Sequence, residues 1–186
     1  MRNYEERAVD FIKAIFPFIR VFDSPFCIRH DVDEFNMSRS RNVIVRYGSA
    51  RIALITSDYV VKWDYDEEEV SSIGGCENEV ELYAEAQVEG FAYLLAKITR
   101  VEYKGHFFYI MPRVHGIDDE NGYAWQYMSD EEKNWCAKHS LTDLHCCNYG
   151  LNDGKVTIID YAYQENKVDS SSSYNYYDSE KEVSES

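Results

Sequence analysis

The amino-acid sequence predicts an α+β fold in which an antiparallel β-sheet packs against one long helix. Three observations predict it: strand-like patterning over residues 42–63, helical periodicity over residues 77–97, and a second strand-like pair over residues 99–111. The chain has 186 residues, of which 45% are hydrophobic, and this suits one sizeable core.

The N-terminal segment, residues 1–41, is predicted to hold a helix and a connector. Apolar side chains recur at a helical period over residues 4–20, and Pro17 limits the helix that this pattern predicts. Residues 23–42 are polar, with a proline and a run of Ser and Arg, and no secondary structure is predicted for them.

The predicted sheet consists of two groups of strands. The first is a three-strand meander within residues 43–63, where β-branched and aromatic residues are interrupted by turn-forming residues, first at Gly48 and Ser49. The second is a hairpin of residues 99–103 and 106–111 with its turn at Lys104-Gly105.

The long helix is predicted over residues 77–97, after an acidic loop that ends in glycine. The apolar face, expected to lie against the sheet, consists of Val80, Tyr83, Ala84, Val88, Phe91 and Leu95. The opposite face is expected to carry Glu81, Glu85 and Glu89.

The C-terminal part begins with a helix predicted from Ser129 to about His139, because Ser129-Asp130-Glu131-Glu132 has the spacing of a capping box. A short hairpin over residues 149–159 follows, with turn residues at 152–154. Residues 164–186 are rich in Ser, Tyr and Glu without apolar periodicity, and we expect a disordered tail.

Five polar residues form the candidate site: Lys62, Glu79, Asp143, Asn148 and Asp160. An Asp and an Asn five residues apart allow the carboxylate to receive a hydroxyl proton while the amide ligates a metal ion. Asp160 ends an apolar strand, and its carboxylate is the hard oxygen donor that Mg²⁺ prefers. Glu81 is an alternative to Glu79, because helical spacing separates the two only weakly.

The order of these elements resembles that of protein kinases and of related small-molecule kinases, such as the aminoglycoside and choline phosphotransferases. The matching motifs are Val60-Val61-Lys62-Trp63, the Asp-Leu-His-x-x-Asn run from Asp143 to Asn148, and Ile158-Ile159-Asp160. The resemblance covers residues 42–163, the predicted kinase-like domain. It implies a kinase-like N-lobe with a minimal, truncated C-lobe, as in a short member of phage or mobile-element type.

The resemblance also implies a site for ATP and Mg²⁺. Lys62 would contact the phosphates and pair with Glu79, Asp143 would be the catalytic base, and Asn148 and Asp160 would hold the metal. Gly48 and Ser49 would cover the nucleotide, although this turn has one glycine where the family has three. Little chain follows Asp160, which favours a pseudokinase over a small phosphotransferase.

The charge of the chain supports an alternative hypothesis. The formal net charge is −15, and the six acids and two bases after residue 163 account for −4 of it, which leaves −11. This acidity disfavours direct binding of nucleic acid but suits a basic partner. The alternative is a non-catalytic protein that inhibits a nucleic-acid-binding protein or nuclease by occupying its basic groove, an anti-CRISPR-like role. The proposed contacts are Glu67, Glu68 and Glu69, or Glu81, Glu85 and Glu89.

The sequence also bears on location. No apolar run reaches the length of a membrane span, and the N-terminal residues are too acidic for a secretory signal. The five cysteines include no Cys-x-x-Cys pair, which is typical of reduced thiols. We therefore expect a cytoplasmic protein without a membrane partner, in the host cytoplasm if phage-encoded.

Overall fold

The computed structural model describes residues 3–19, 25–39, 42–48, 50–65, 75–115, 122–146, 148–152 and 154–161. Within them the structure is α+β and contains a five-stranded antiparallel sheet, so the predicted fold class is confirmed at this level. Ser49, Glu67 to Glu69 and the tail of residues 164–186 lie outside the described residues. None of the described helices has the length and apolar character needed to cross a bilayer.

The strands lie close to their predicted positions. They are β1 (Ile44–Tyr47), β2 (Arg51–Ile55), β3 (Tyr59–Asp64), β4 (Thr99–Tyr103), β5 (His106–Pro112), β6 (Tyr149–Asn152) and β7 (Lys155–Ile158). The sheet has the order β1-β2-β3-β5-β4, with every neighbouring pair antiparallel, while β6 and β7 form a separate hairpin. Lys104 and Gly105 both have positive φ, as tight hairpin turns between twisted strands require.

Two helices cover the back of the sheet. Helix α1 (Tyr4–Ile15) places Ala8, Phe11, Ile12 and Ile15 in a core shared with the inward residues of β1, β2, β3 and β5. Helix α2 (Pro25–Arg39) packs beside it, although no secondary structure was predicted for this segment. Pro25 stands at the first helical position, where its missing N–H breaks no hydrogen bond.

Helix α3 (Cys76–Glu89) is shorter than predicted, and the predicted apolar face is only partly buried: Val80 and Tyr83 pack against the core, while Val88 does not. It stops because Gly90 adopts a left-handed φ of 85°, a conformation that glycine enters without steric cost. The buried residues are Cys76, Glu79, Leu82 and Ala86. Val88 was assigned to the apolar face and is 89% exposed, so that assignment was wrong. A buried acid defines the inner face here, and hydrophobic patterning cannot detect it.

The C-terminal part packs under α3 and the far end of the sheet. A 3₁₀ turn (Ala92–Leu94) follows α3, another (Ala124–Tyr127) precedes helix α4 (Asp130–Lys138), and α4 begins with the predicted Ser129–Glu132 capping box. The backbone N–H of Ala96 donates to the Ile158 carbonyl at 2.8 Å, which ties β7 to the chain after α3. This bond fixes the hairpin below the open face of the sheet.

Candidate functional site

A cleft of about 650 Å³ separates the front face of the sheet from the β6-β7 hairpin. Volumes of this size are typical of sites for small organic ligands. Its lining includes apolar side chains from both walls, namely Ala53, Ile55, Val60, Met111, Tyr149 and Ile159. A second cavity of similar volume lies between α1, α2 and the start of β1, and it contains none of the predicted site residues.

Lys62 and Glu79 form a buried ion pair beside this cleft. The Lys62 Nζ lies 3.0 and 3.2 Å from the two carboxylate oxygens of Glu79 and donates to the Ile159 carbonyl at 2.8 Å. Lys62 is 9% exposed and Glu79 is 0% exposed. Three elements therefore meet at one ammonium group: the third strand, helix α3 and the end of the β7 strand.

The electrostatic balance around Glu79 depends on several donors. Burial raises the pKa of Glu79, and the Lys62 ammonium and Arg51 guanidinium oppose that shift. Burial also opposes the charge on Lys62, but the Glu79 and Asp160 carboxylates outweigh it and raise the lysine pKa. The backbone N–H of Tyr161 donates to Glu79 Oε1 at 3.2 Å, so the carboxylate is well supplied with donors.

Asp160 is bound by an arginine that the sequence analysis did not select. Arg51 begins β2, and its Nη1 lies 2.9 Å from Asp160 Oδ1 and 3.6 Å from Glu79 Oε1. Burial disfavours the charged form of Arg51 and would lower its pKa. The attraction of the Asp160 and Glu79 carboxylates outweighs this effect, so the Arg51 pKa is raised above its ordinary value. Two cations and two carboxylates thus share this end of the cleft.

Asp143 and Asn148 contact each other directly. The Asn148 Nδ2 donates to Asp143 Oδ2 at 3.0 Å and to the Asp143 carbonyl at 2.8 Å. His145 Nε2 lies 3.4 Å from Asp143 Oδ1. The Asn148 carbonyl also accepts the N–H of Ile159 at 2.8 Å, which holds this loop against the segment that carries Asp160.

The predicted site residues are therefore brought to one region. A recess of about 40 Å³ is lined by Arg51, Asp143, Asn148 and Asp160, among others. The larger cleft is lined by Gly48, Lys62 and Asp160, while Glu79 lies behind Lys62. Glu81, the alternative to Glu79, is exposed on the other side of α3.

The sequence analysis missed the positive charge of the cleft. Among the residues that the structure describes, its lining contains four basic residues, Arg46, Arg51, Lys62 and Arg113, and one acidic residue, Asp160. Arg46 and Lys62 lie in one row across the sheet because both flank Ala53 in register. Strand alternation places Arg51 and Ala53 on one face of β2, but the position of Arg46 beside Ala53 depends on the strand register, which was not predicted.

The residues expected to hold Mg²⁺ do not make a ready metal site. Among the described residues, no three His, Cys, Asp or Glu side chains are grouped so as to bind a metal ion. The Asp160 carboxylate is paired with Arg51, and the Asn148 amide is turned toward Asp143. Mg²⁺ takes one or two carboxylates from a protein and completes its octahedron with water and phosphate oxygens, so to hold it here Asp160 and Asn148 would have to exchange their present partners, Arg51 and Asp143.

Comparison with known proteins adds no family assignment: no family model matches the sequence, and no curated protein matches it either.

Proposed function

We propose that this protein binds a nucleoside triphosphate such as ATP between the front of the sheet and the β6-β7 hairpin, as a kinase-like protein of the pseudokinase type. One observation carries the proposal: although the chain has a net charge of −15, the described lining of this cleft holds four basic residues against Asp160 and the Glu79 carboxylate behind Lys62, which leaves two positive charges in excess. A polyanionic ligand is the chemistry that such a concentration of positive charge serves.

The two kinds of lining match the two parts of a nucleotide. Ala53, Val60, Met111 and Tyr149 provide apolar surface for a flat base. The basic side chains provide charge-assisted hydrogen bonds for phosphate oxygens, which are about twice as strong as neutral ones. Lys62 is held in place by Glu79 and the Ile159 carbonyl, so it can offer its charge without losing further side-chain freedom.

The pairing of the carboxylates favours binding over phosphoryl transfer. A catalytic base must reach a substrate hydroxyl, and the Asp143 carboxylate accepts a hydrogen bond from Asn148 and lies close to His145. The carboxylate of Asp160 is engaged by Arg51. The kinase-like N-lobe and truncated C-lobe are part of this proposal, supported by the order of β3, α3 and the Lys62–Glu79 pair. The roles of Asp143, Asn148 and Gly48 stay predictions.

Thermal unfolding of the full chain with increasing ATP tests the proposal. A ligand present at 100 times its dissociation constant stabilises a protein by roughly 2.7 kcal/mol. For a chain of this size each kcal/mol corresponds to about 2–4 °C, so we expect the Tm to rise by roughly 5–11 °C.

The matched variants are Ala53→Phe and Val88→Phe. Ala53 lines the cleft, so the added ring occupies the base site and should abolish the rise in Tm. Val88 is 89% exposed on α3, so the same ring there should leave the rise intact. If millimolar ATP leaves the Tm of the unmodified protein unchanged, nucleotide binding is excluded.

A further inference from the structure

Arg51 places a second positive charge near that of Lys62 at the end of the cleft. It follows a turn in which the Gly48 N–H donates to the Arg51 carbonyl at 3.0 Å, and this turn starts β2. Its side chain is on the front face of the sheet and is 19% exposed, with the cleft on its open side. The backbone of β2 therefore fixes where the guanidinium can reach.

The contacts of Arg51 neutralise the acids at this end of the cleft. Lys62 and Arg51 carry two positive charges, and Glu79 and Asp160 carry two negative charges. The group is balanced without any added ion. The Asp160 side chain remains 39% exposed. Its negative charge is therefore neutralised by the Arg51 guanidinium and not by burial.

This arrangement competes directly with a metal ion at Asp160. A divalent cation on the Asp160 carboxylate would lie beside the guanidinium, and like charges at that distance repel strongly at low effective dielectric. A metal ion on Asp160 would therefore compete with Arg51 for this carboxylate. A guanidinium also has five donors in a planar fork, so the donors that do not face Asp160 can bind phosphate oxygens.

We infer that Arg51 takes the place of the divalent cation in this cleft, so that the protein binds the triphosphate without Mg²⁺. The inference rests on the proposed function and specifies its ligand: a metal-free nucleoside triphosphate. Asp160 then holds Arg51 in position and does not ligate a metal.

The test measures ATP affinity by isothermal titration calorimetry on the full chain, once in excess EDTA and once in excess Mg²⁺. For the unmodified protein we expect dissociation constants that agree within about twofold. Arg51→Gln should weaken binding in EDTA by at least about tenfold, because it removes a charge-assisted hydrogen bond to phosphate. Part of that loss should return in Mg²⁺, because Asp160 has lost its guanidinium partner.

Arg46→Gln is the matched control. Arg46 is an exposed arginine of the same cleft, and its Nη1 donates to the Val45 carbonyl at 3.5 Å. Because Arg46 also lines the cleft, its variant should bind ATP more weakly than the unmodified protein, but by the same factor in EDTA and in Mg²⁺. Should Arg51→Gln fail to fold, Arg51→Lys keeps the charge and removes the fork, and it should also lose affinity in EDTA.

The outcomes separate the two claims. Binding of ATP by the unmodified protein only in Mg²⁺ overturns the role of Arg51 and leaves nucleotide binding standing. Equal affinity of the unmodified protein in both buffers, together with a loss in Arg51→Gln that is larger in EDTA than in Mg²⁺, supports the role of Arg51. Absence of binding in both buffers removes the proposed function and this inference together.

Discussion

Replacing Glu79 with Gln tests whether the buried ion pair supports the fold. Glu79 is fully buried, contacts Lys62 through both oxygens, and accepts the N–H of Tyr161. Glutamine keeps the shape but removes the negative charge, so the Lys62 ammonium is left buried without its counter-ion. Removing one partner of a buried pair costs about 3–5 kcal/mol, and we expect the free energy of unfolding to fall by that amount.

The measurement is urea unfolding followed by tryptophan fluorescence, with thermal unfolding as a second readout. At about 2–4 °C per kcal/mol, the Tm should fall by roughly 6–20 °C. Glu81→Gln is the matched control, since Glu81 lies on the same helix with an exposed side chain and should change stability by less than about 0.5 kcal/mol.

A double variant separates charge from shape. Lys62→Met with Glu79→Leu removes both charges, and because no unpaired charge of this pair stays buried, it should cost less than Glu79→Gln alone. The reasoning is refuted if Glu79→Gln is as stable as Glu81→Gln. It is also refuted if the double variant is the least stable of the three, because packing would then outweigh the unpaired charge.

Two further predictions concern Glu89 and the acidic surface. Hydrogen bonds from Lys138, His139 and Trp135 lower the pKa of Glu89 to about 2, below the ordinary value of 4.5. The stabilisation that ionised Glu89 gives the fold is therefore complete above pH 4.5 and is lost as the pH falls toward 2. The difference in urea midpoint between wild type and Glu89→Gln should shrink over that pH range. A difference that stays constant would contradict this prediction. For the acidic-inhibitor hypothesis, Glu81→Lys with Glu85→Lys should slow association with a nuclease that has a basic groove and leave ATP binding unchanged. If neither the charge reversal nor added salt changes this association, the acidic-inhibitor hypothesis is wrong and the surface charge serves only solubility.

The strands and most helices were predictable because their signals are local. β-Branched alternation in β2 and β3, and the capping box at Ser129, act within a few residues of the backbone they shape. Helix α2 was missed although its buried residues Ile28, Val32 and Phe35 recur at four- and three-residue steps, a helical period that could have revealed it among the polar residues of this segment.

The candidate site was predictable only in its residue types. The sequence by itself determined that Lys62 lies in the third strand, that Asp160 follows a short apolar strand, and that acids lie early in α3. Periodicity could not choose between Glu79 and Glu81, because both lie on a helix whose hydrophobic pattern is weak; the contact with Lys62 made the choice.

Only the tertiary structure decided which charges face each other. Arg51 and Asp160 are separated by 109 positions in the chain, and their contact depends on the bond between Ala96 and Ile158 that holds β7 below the sheet. An ion pair of this kind carries no sequence periodicity, since its geometry is set by the packing of elements that lie far apart. The positive cleft of an acidic chain arises for the same reason: composition fixes the sum of the charges, and the fold distributes them.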